Sequence, residues 1–247
     1  MNSSLSKKKV FFRENKLGSA TELKRPSQTA RVNFDNLDLQ LHLVRHAQTD
    51  WNIHDRLQGQ LDIPLNSVGY QQARTVCQYL RPVKFDKFFC SPLQRAKVTA
   101  EIILDDRPVE LKAVPEFQEV CHGDWQGKLV AELRLLYPYQ FHLWETHPLE
   151  CRKPNGETLY QVWERVIPAW EMLLQSCFED AHKRVLVVAH KFIIQIILCH
   201  VSGLDLKHFW DFPQDNCSIN VIDYDFHGAS YLRVNNFNIY ESTSAAA

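Results

Sequence analysis

The chain has 247 residues, 45% hydrophobic and 23% charged, with a net charge of -1. That profile excludes a general nucleic-acid binder and an intrinsically disordered chain, and it leaves room for one sizeable core plus an extension. The neutral balance hides an asymmetry, because residues 1–31 hold eight Lys/Arg against two Glu, which makes the head about +6 and the remainder about -7.

In chain order, residues 1–38 lack apolar periodicity and read as a basic, disordered extension. An import segment is the alternative, which Glu14 and Glu22 weaken. The body is expected over 39–240. Its first apolar run, Leu41-His42-Leu43-Val44, has the length of a buried strand and empties directly into Arg45-His46. A loop closed by Pro64 follows. Asn66 then caps a helix to Leu80 with Val68, Ala73, Val76, Cys77 and Leu80 on its apolar stripe. A second strand spans Lys87 to Cys90, and Ser91 with Pro92 reads as the cap and first turn of a helix through Ile103. Residues 109–114 predict a third strand, 116–127 a polar loop, and 130–139 a helix. The aromatic-rich piece 139–154 reads as an irregular lid. A helix is expected from Leu159 to Cys177, kinked or interrupted at Pro168. Val185 to Ala189 is a strand ending in His190, Phe192 to Val201 a helix, and 218–224 and 230–235 a final strand pair. Residues 241–247 read as a disordered tail.

Strands alternating with helices predict an α/β fold, a three-layer α/β/α sandwich with a mostly parallel central sheet. In such sheets ligands sit outside the carboxyl ends of the strands. Three strand ends thus deliver Arg45, His46, Arg95 and His190 to one edge. A histidine between guanidinium groups is disfavoured as a cation, so it stays neutral and nucleophilic, while the arginines match the oxygens of a phosphate dianion. A leaving alcohol needs a proton donor. Glu119 is the candidate, although the residues alone do not choose it over Glu116 or Asp124.

Four motifs in order carry a resemblance over roughly 39–235: Arg45-His46-Ala47 with Trp51-Asn52, Ser91-Pro92-Leu93-Gln94-Arg95-Ala96, Glu119 to Gly127 as Glu-x-x-x-Gly-x-Trp-x-Gly, and the strand-ending His190. The chain resembles the histidine phosphatase superfamily, with its phosphoglycerate mutase-like fold. The resemblance implies a metal-independent phosphomonoesterase with no cofactor, acting on a small phosphorylated metabolite, either a sugar phosphate or a phosphoglycerate-like ester. His46 would be the phosphorylated nucleophile, Arg45, Arg95 and His190 the phosphate ligands, and Glu119 the acid/base. Asn52, Gln58 and Gly59 match positions lining the phosphate pocket. Many members have glycine after the second histidine, where this chain has Lys191. That lysine either adds a cation over the substrate or faces solvent from the helix start, and the helix-start position favours solvent. The short segment after Glu119 is similar to the phosphatase branch. A mutase would carry a longer lysine-containing insertion, and a non-catalytic phospho-ligand binding module would have lost the nucleophile or an arginine.

Seven cysteines without a CxxC pair point to a reducing compartment, hence the cytoplasm, and to no structural metal site. The longest apolar stretch, 185–201, is too short and polar for a membrane span, so neither membrane nor nucleic acid is expected as partner, and the chain would act as a monomer or homodimer. His54, His182, His200, His208 and His227 belong to no motif. His142 and His147, five apart, do not share a helical face. Trp125, Trp144, Trp163, Trp170 and Trp210 read as packing. Specificity would lie with Tyr137, Tyr139, His142, Arg152 and Lys153, and Glu157 is either a plain helix-start carboxylate or a lid element.

Overall fold

A computed structural model describes residues 37–225 and 228–240. The expectations for residues 1–36, for the tail 241–247 and for His227 lie outside the described residues. The first strand starts at Leu37, two residues before the expected boundary.

Strands β1 (Leu37–Arg45), β2 (Lys87–Cys90), β3 (Leu111–Ala113), β4 (Arg184–Ala189), β5 (Ile219–Asp225) and β6 (Ser230–Phe237) form one sheet in the order β3-β2-β4-β1-β5-β6. The first four run parallel; β5 is antiparallel to both β1 and β6. Side chains alternate across the pleat. Leu41, Leu43, Val185, Val187 and Ala189 pack on one face with α6 (Leu159–Glu179) and α7 (Lys191–Val201). Val44, Phe88, Leu186 and Val188 pack on the other with α2 (Ser67–Tyr79) and α3 (Gln94–Leu104). Near-continuous apolar strands are what burial on both faces requires, so the three-layer expectation holds.

Four local expectations need correction. The third helix does not begin at Ser91-Pro92; it begins at Gln94, with Leu93 as its cap residue. The capping acceptor comes from another loop, since Asp62 Oδ1 takes the Gln94 N–H at 2.7 Å, which releases Ser91 for other contacts. The segment read as one helix and an irregular lid is two helices, α4 (Val130–Leu136) and α5 (Pro138–Thr146). Pro138 sits at a first helical position, where its missing N–H costs nothing, and Phe141 and Trp144 face the core. Helix α6 runs through Pro168 without interruption. The carbonyl four residues back, at Glu164, is on the exposed face with Pro168, where water replaces the lost bond. On α2 the buried line is Gly69, Ala73 and Val76, and Val68 is exposed.

Loops at the carboxyl ends of the strands are fixed by close backbone approach. Gly123 has φ of +55°, and a Cβ there would lie 2.1 Å from the Pro154 carbonyl oxygen. Only glycine lets segment 121–123 lie flat against 153–156. Among the described residues no helix is long and apolar enough to cross a membrane.

Candidate active site

The ends of β1, β2 and β4, adjacent in the sheet, bring together residues about 45, 91 and 190. His46 leaves β1 with its ring 3% exposed, and its backbone N–H bonds the Ala189 carbonyl at 2.9 Å, locking β1 to β4 at the site. Its Nδ1 lies 2.7 Å from the Ala47 carbonyl oxygen. A carbonyl only accepts, so Nδ1 carries the proton and Nε2 keeps its lone pair. Burial, then Arg95 and Arg45, hold the proton affinity of His46 well below the ordinary imidazole value, outweighing the bond to Ala47. The ring of His190 lies 5.2 Å away, centroid to centroid. His190 is likewise held neutral, by burial first and then by Arg95. It ends β4 and forms the N-cap of α7, and its Nε2 is 2.7 Å from Ser91 Oγ. Its Nδ1 has no partner among the described residues.

Arg95 is fully buried at the start of α3. Its two terminal nitrogens donate to the Leu61 and Gly59 carbonyls at 2.8 and 2.7 Å, and Nε is left without an acceptor. Burial lowers its pKa to about 10, so it remains a cation near neutrality. Arg45 is half-buried; one terminal nitrogen bonds the Gln214 carbonyl at 2.7 Å and its Nε is unpartnered. A guanidinium so anchored presents fixed donors without paying rotamer entropy when an anion arrives.

Glu119 is 6% exposed. Burial raises its pKa, against the opposing pull of the Val120 N–H, Arg95, the Phe192 N–H and Arg45. The Val120 N–H reaches Oε1 at 2.9 Å and the Phe192 N–H reaches Oε2 at 3.5 Å, the latter long and weak. Among the acidic residues of the loop, Glu119 is the one buried in this setting. Asp124 is exposed and accepts from Asn155 Nδ2, and the Glu116 backbone carbonyl takes a bond from Arg165.

The other expected pocket residues divide. Asn52 completes a capping box with Thr49, its Oδ1 also taking Asn216 Nδ2 at 3.3 Å. Gln58 is buried with its Oε1 unpartnered. Gly59 has φ of +56°, and its contribution is to carry the carbonyl that holds Arg95 beneath the Gln126 side chain. Lys191 does not extend freely into solvent; it is half-buried, with Nζ 5.7 and 5.6 Å from the Phe192 and Trp210 ring centroids.

Sequence reasoning missed several supports. Ser91 was read as a cap and instead braces His190. Asn216 donates to the His46 carbonyl at 3.0 Å, and Thr99 Oγ1 accepts from the Ala47 N–H at 3.0 Å. The signal for Asn216 and Gln214 was a polar run, Gln214-Asp215-Asn216, directly before a strand. Arg165, on α6, donates to the carbonyls of Glu116, Gln118 and Glu119, and grips both oxygens of Glu157 at 2.8 and 2.9 Å. Glu157 in turn accepts the Cys121 N–H at 2.7 Å. Neither reading of Glu157 anticipated this clamp, which fixes the backbone on both sides of Glu119.

The clamp makes a prediction. Arg165→Ala should lower kcat/KM by about 100-fold, the usual cost of misplacing a reacting group by an ångström. It also strips donors from buried carbonyls, at about 1–3 kcal/mol of stability. Arg165→Lys should recover only part, since an ammonium cannot reproduce the fork. Steady-state kinetics beside urea denaturation checks it; wild-type kinetics in the alanine variant would refute it.

Comparison with known proteins places this geometry. The model of the histidine phosphatase superfamily (branch 1) matches residues 41–237. The chain belongs to the histidine phosphatase superfamily. Phosphoserine phosphatase 1 of Hydrogenobacter thermophilus is 34% identical over 202 residues, covering 80% of this chain and 92% of that protein. The 2-carboxy-D-arabinitol-1-phosphatase of Triticum aestivum is 34% identical over 183 residues, 74% of this chain but 36% of the wheat protein. The mycobacterial glucosyl-3-phosphoglycerate phosphatase, solved as a complex with VO3, has a TM-score of 0.73 at 26% identity, covering 81% of this chain and all of that one. Membership of this superfamily agrees with the mostly parallel sheet and with a site built where β1, β2 and β4 end.

Proposed function

We propose that this histidine phosphatase superfamily member hydrolyses small phosphate monoesters through a phosphohistidine at His46. The carrying observation is the Nδ1 bond to the Ala47 carbonyl, which leaves an unprotonated Nε2 beside two anchored guanidinium groups. The phosphatases among its relatives support the reading.

In the first step the Nε2 lone pair attacks phosphorus, the ester P–O bond breaks, and Glu119 passes its proton to the departing alkoxide oxygen. Arg45, Arg95 and the neutral His190 donate to the non-bridging oxygens, and the N-terminus of α7 adds its partial positive charge. In the second step the Glu119 carboxylate takes a proton from water as its oxygen attacks phosphorus. The P–N bond breaks, freeing inorganic phosphate and returning the proton to Glu119. Asn52 and Gln58 contribute amide groups at the pocket wall.

The test is phosphate release from a panel of phosphate monoesters in excess EDTA, with quenching in alkaline detergent to trap the phosphoenzyme. The expected result is turnover unaffected by EDTA and an acid-labile, alkali-stable phosphoryl adduct, as a phosphoramidate bond requires. Failure to release phosphate from any ester, or loss of turnover on chelation, would overturn the reading. Transfer of the phosphoryl group to a second phosphoglycerate, rather than to water, would establish the mutase alternative instead.

A further inference from the structure

Lys153 is an anomaly beside this site. Its side chain is 5% exposed, and Nζ has no hydrogen-bond acceptor among the described residues. Lysines are almost never fully buried unless paired, because an ammonium without acceptors loses its hydration for nothing in return. The contact it has is the face of Trp144, with Nζ 4.0 Å from the ring centroid. Such a face attracts the cation but accepts none of its three N–H groups. Burial draws its pKa down to about 8, leaving it charged at neutral pH.

Its surroundings join it to the leaving-group side of the site. The strip 153–156 lies against 121–123: the Asp124 N–H bonds the Pro154 carbonyl at 3.0 Å and the Glu157 N–H bonds the Cys121 carbonyl at 2.8 Å. Trp144, His122 and Phe192 pack edge to face, with ring centroids 5.3–5.8 Å apart. Phe192 is also the residue whose N–H reaches Glu119. One aromatic layer therefore connects the Lys153 ammonium to the carboxyl that protonates the departing oxygen. The carbon chain bonded to that oxygen would extend past Glu119, whose charge is felt at the buried Lys153 ammonium.

We propose that Lys153 binds a carboxylate carried by the leaving group, so that the substrates are phosphate monoesters of small hydroxy acids. The proposal rests on the phosphatase reading above. A carboxylate fits better than a second phosphate, because a single ammonium lacks an acceptor here, the Glu119 charge is felt at it, and His122 is held neutral by burial and by Lys153 itself. Of the other cations in this region, Arg152 is exposed and donates to the Leu149 and Cys151 carbonyls, and Lys191 lies farther along the same layer, 5.7 and 5.6 Å from the Phe192 and Trp210 ring centroids.

The experiment compares 3-phosphoglycerate with glycerol 3-phosphate, which differ in having a carboxylate or a hydroxymethyl group. Wild type, Lys153→Met and Lys153→Arg are assayed on both, with thermal melting as the folding control. The expected result is a wild-type preference for phosphoglycerate. Lys153→Met should raise KM for phosphoglycerate at least 30-fold, leaving its kcat and the kinetics on glycerol 3-phosphate unchanged, and Lys153→Arg should restore much of the preference. An equal loss on both esters, with or without a lower melting temperature, would mark Lys153 as structural and overturn the proposal, as would an unchanged preference in Lys153→Met. Turnover of glycerol 3-phosphate by the wild type without any preference overturns the carboxylate subsite alone. No turnover of either ester, or of the wider panel, overturns the phosphatase reading with it.

Discussion

Replacing His46 with alanine is expected to reduce phosphate release by a factor on the order of 10⁴ or more, with no phosphoenzyme trapped on alkaline quenching. The size follows from the role. Arg45, Arg95 and His190 can stabilise charge on phosphorus oxygens in the variant, but they offer no lone pair for in-line attack. The variant should still fold, because the buried Ala47 carbonyl that loses the ring N–H costs about 1–3 kcal/mol. Phosphate or vanadate binding, measured by titration, should persist in His46→Ala and separate loss of the nucleophile from loss of the pocket. Residual turnover within tenfold of wild type would remove His46 from the mechanism.

Glu119→Gln should cost about 10²–10⁴ in kcat/KM for alkyl phosphates, the usual worth of a positioned acid. For an aryl ester such as p-nitrophenyl phosphate, whose leaving group departs without a proton, formation of the phosphoenzyme should be nearly spared, so that hydrolysis of the adduct becomes limiting. The pH profile carries the same assignment. Burial lifts the Glu119 pKa above the usual carboxylate range, and the first step needs its protonated form, so kcat/KM on alkyl esters should fall as pH rises through that value. On the acid side His46 must lose no lone pair, and its pKa lies well below 6.5, so the acid limb is displaced downward. The second ionisation of the ester itself, near ~6, overlies wild type and variant alike. The variant should therefore lose the alkaline limb that belongs to Glu119 and keep the rest. Equal losses on alkyl and aryl esters in single-turnover phosphorylation would assign Glu119 another task.

Much of this was legible in the sequence because strand-ending residues announce themselves. Arg45-His46 and His190 follow short apolar runs, the first broken only by His42, and the alternation that fills both faces of the sheet is written into Leu41 to Val44 and Val185 to Ala189. The helix starts were less legible. Ser91-Pro92 satisfies local rules for a cap, yet the cap on Gln94 comes from Asp62, thirty-two residues away, and no local pattern encodes that. The two helices over 130–146 were obscured because Pro138 begins a helix as readily as it ends one, and aromatic residues blur the apolar period. Arg165 escaped notice for a related reason. On its own helix it is an unremarkable charged residue, and its meaning arises only when α6 packs beneath the loop that bears Glu119.

The loop that precedes β5 supplies the Gln214 carbonyl to Arg45 and the Asn216 amide to the His46 carbonyl. The antiparallel hairpin β5–β6 is the last part of the described chain, and it docks on β1, nearly two hundred residues earlier. Contacts of such separation form late when a chain collapses, since the entropy of closing so large a loop comes before any reward. Phosphatase competence should therefore return after most of the backbone signal in a refolding time course. A ribosome-bound chain lacking this hairpin would hold Arg45 and His46 in sequence but not in register.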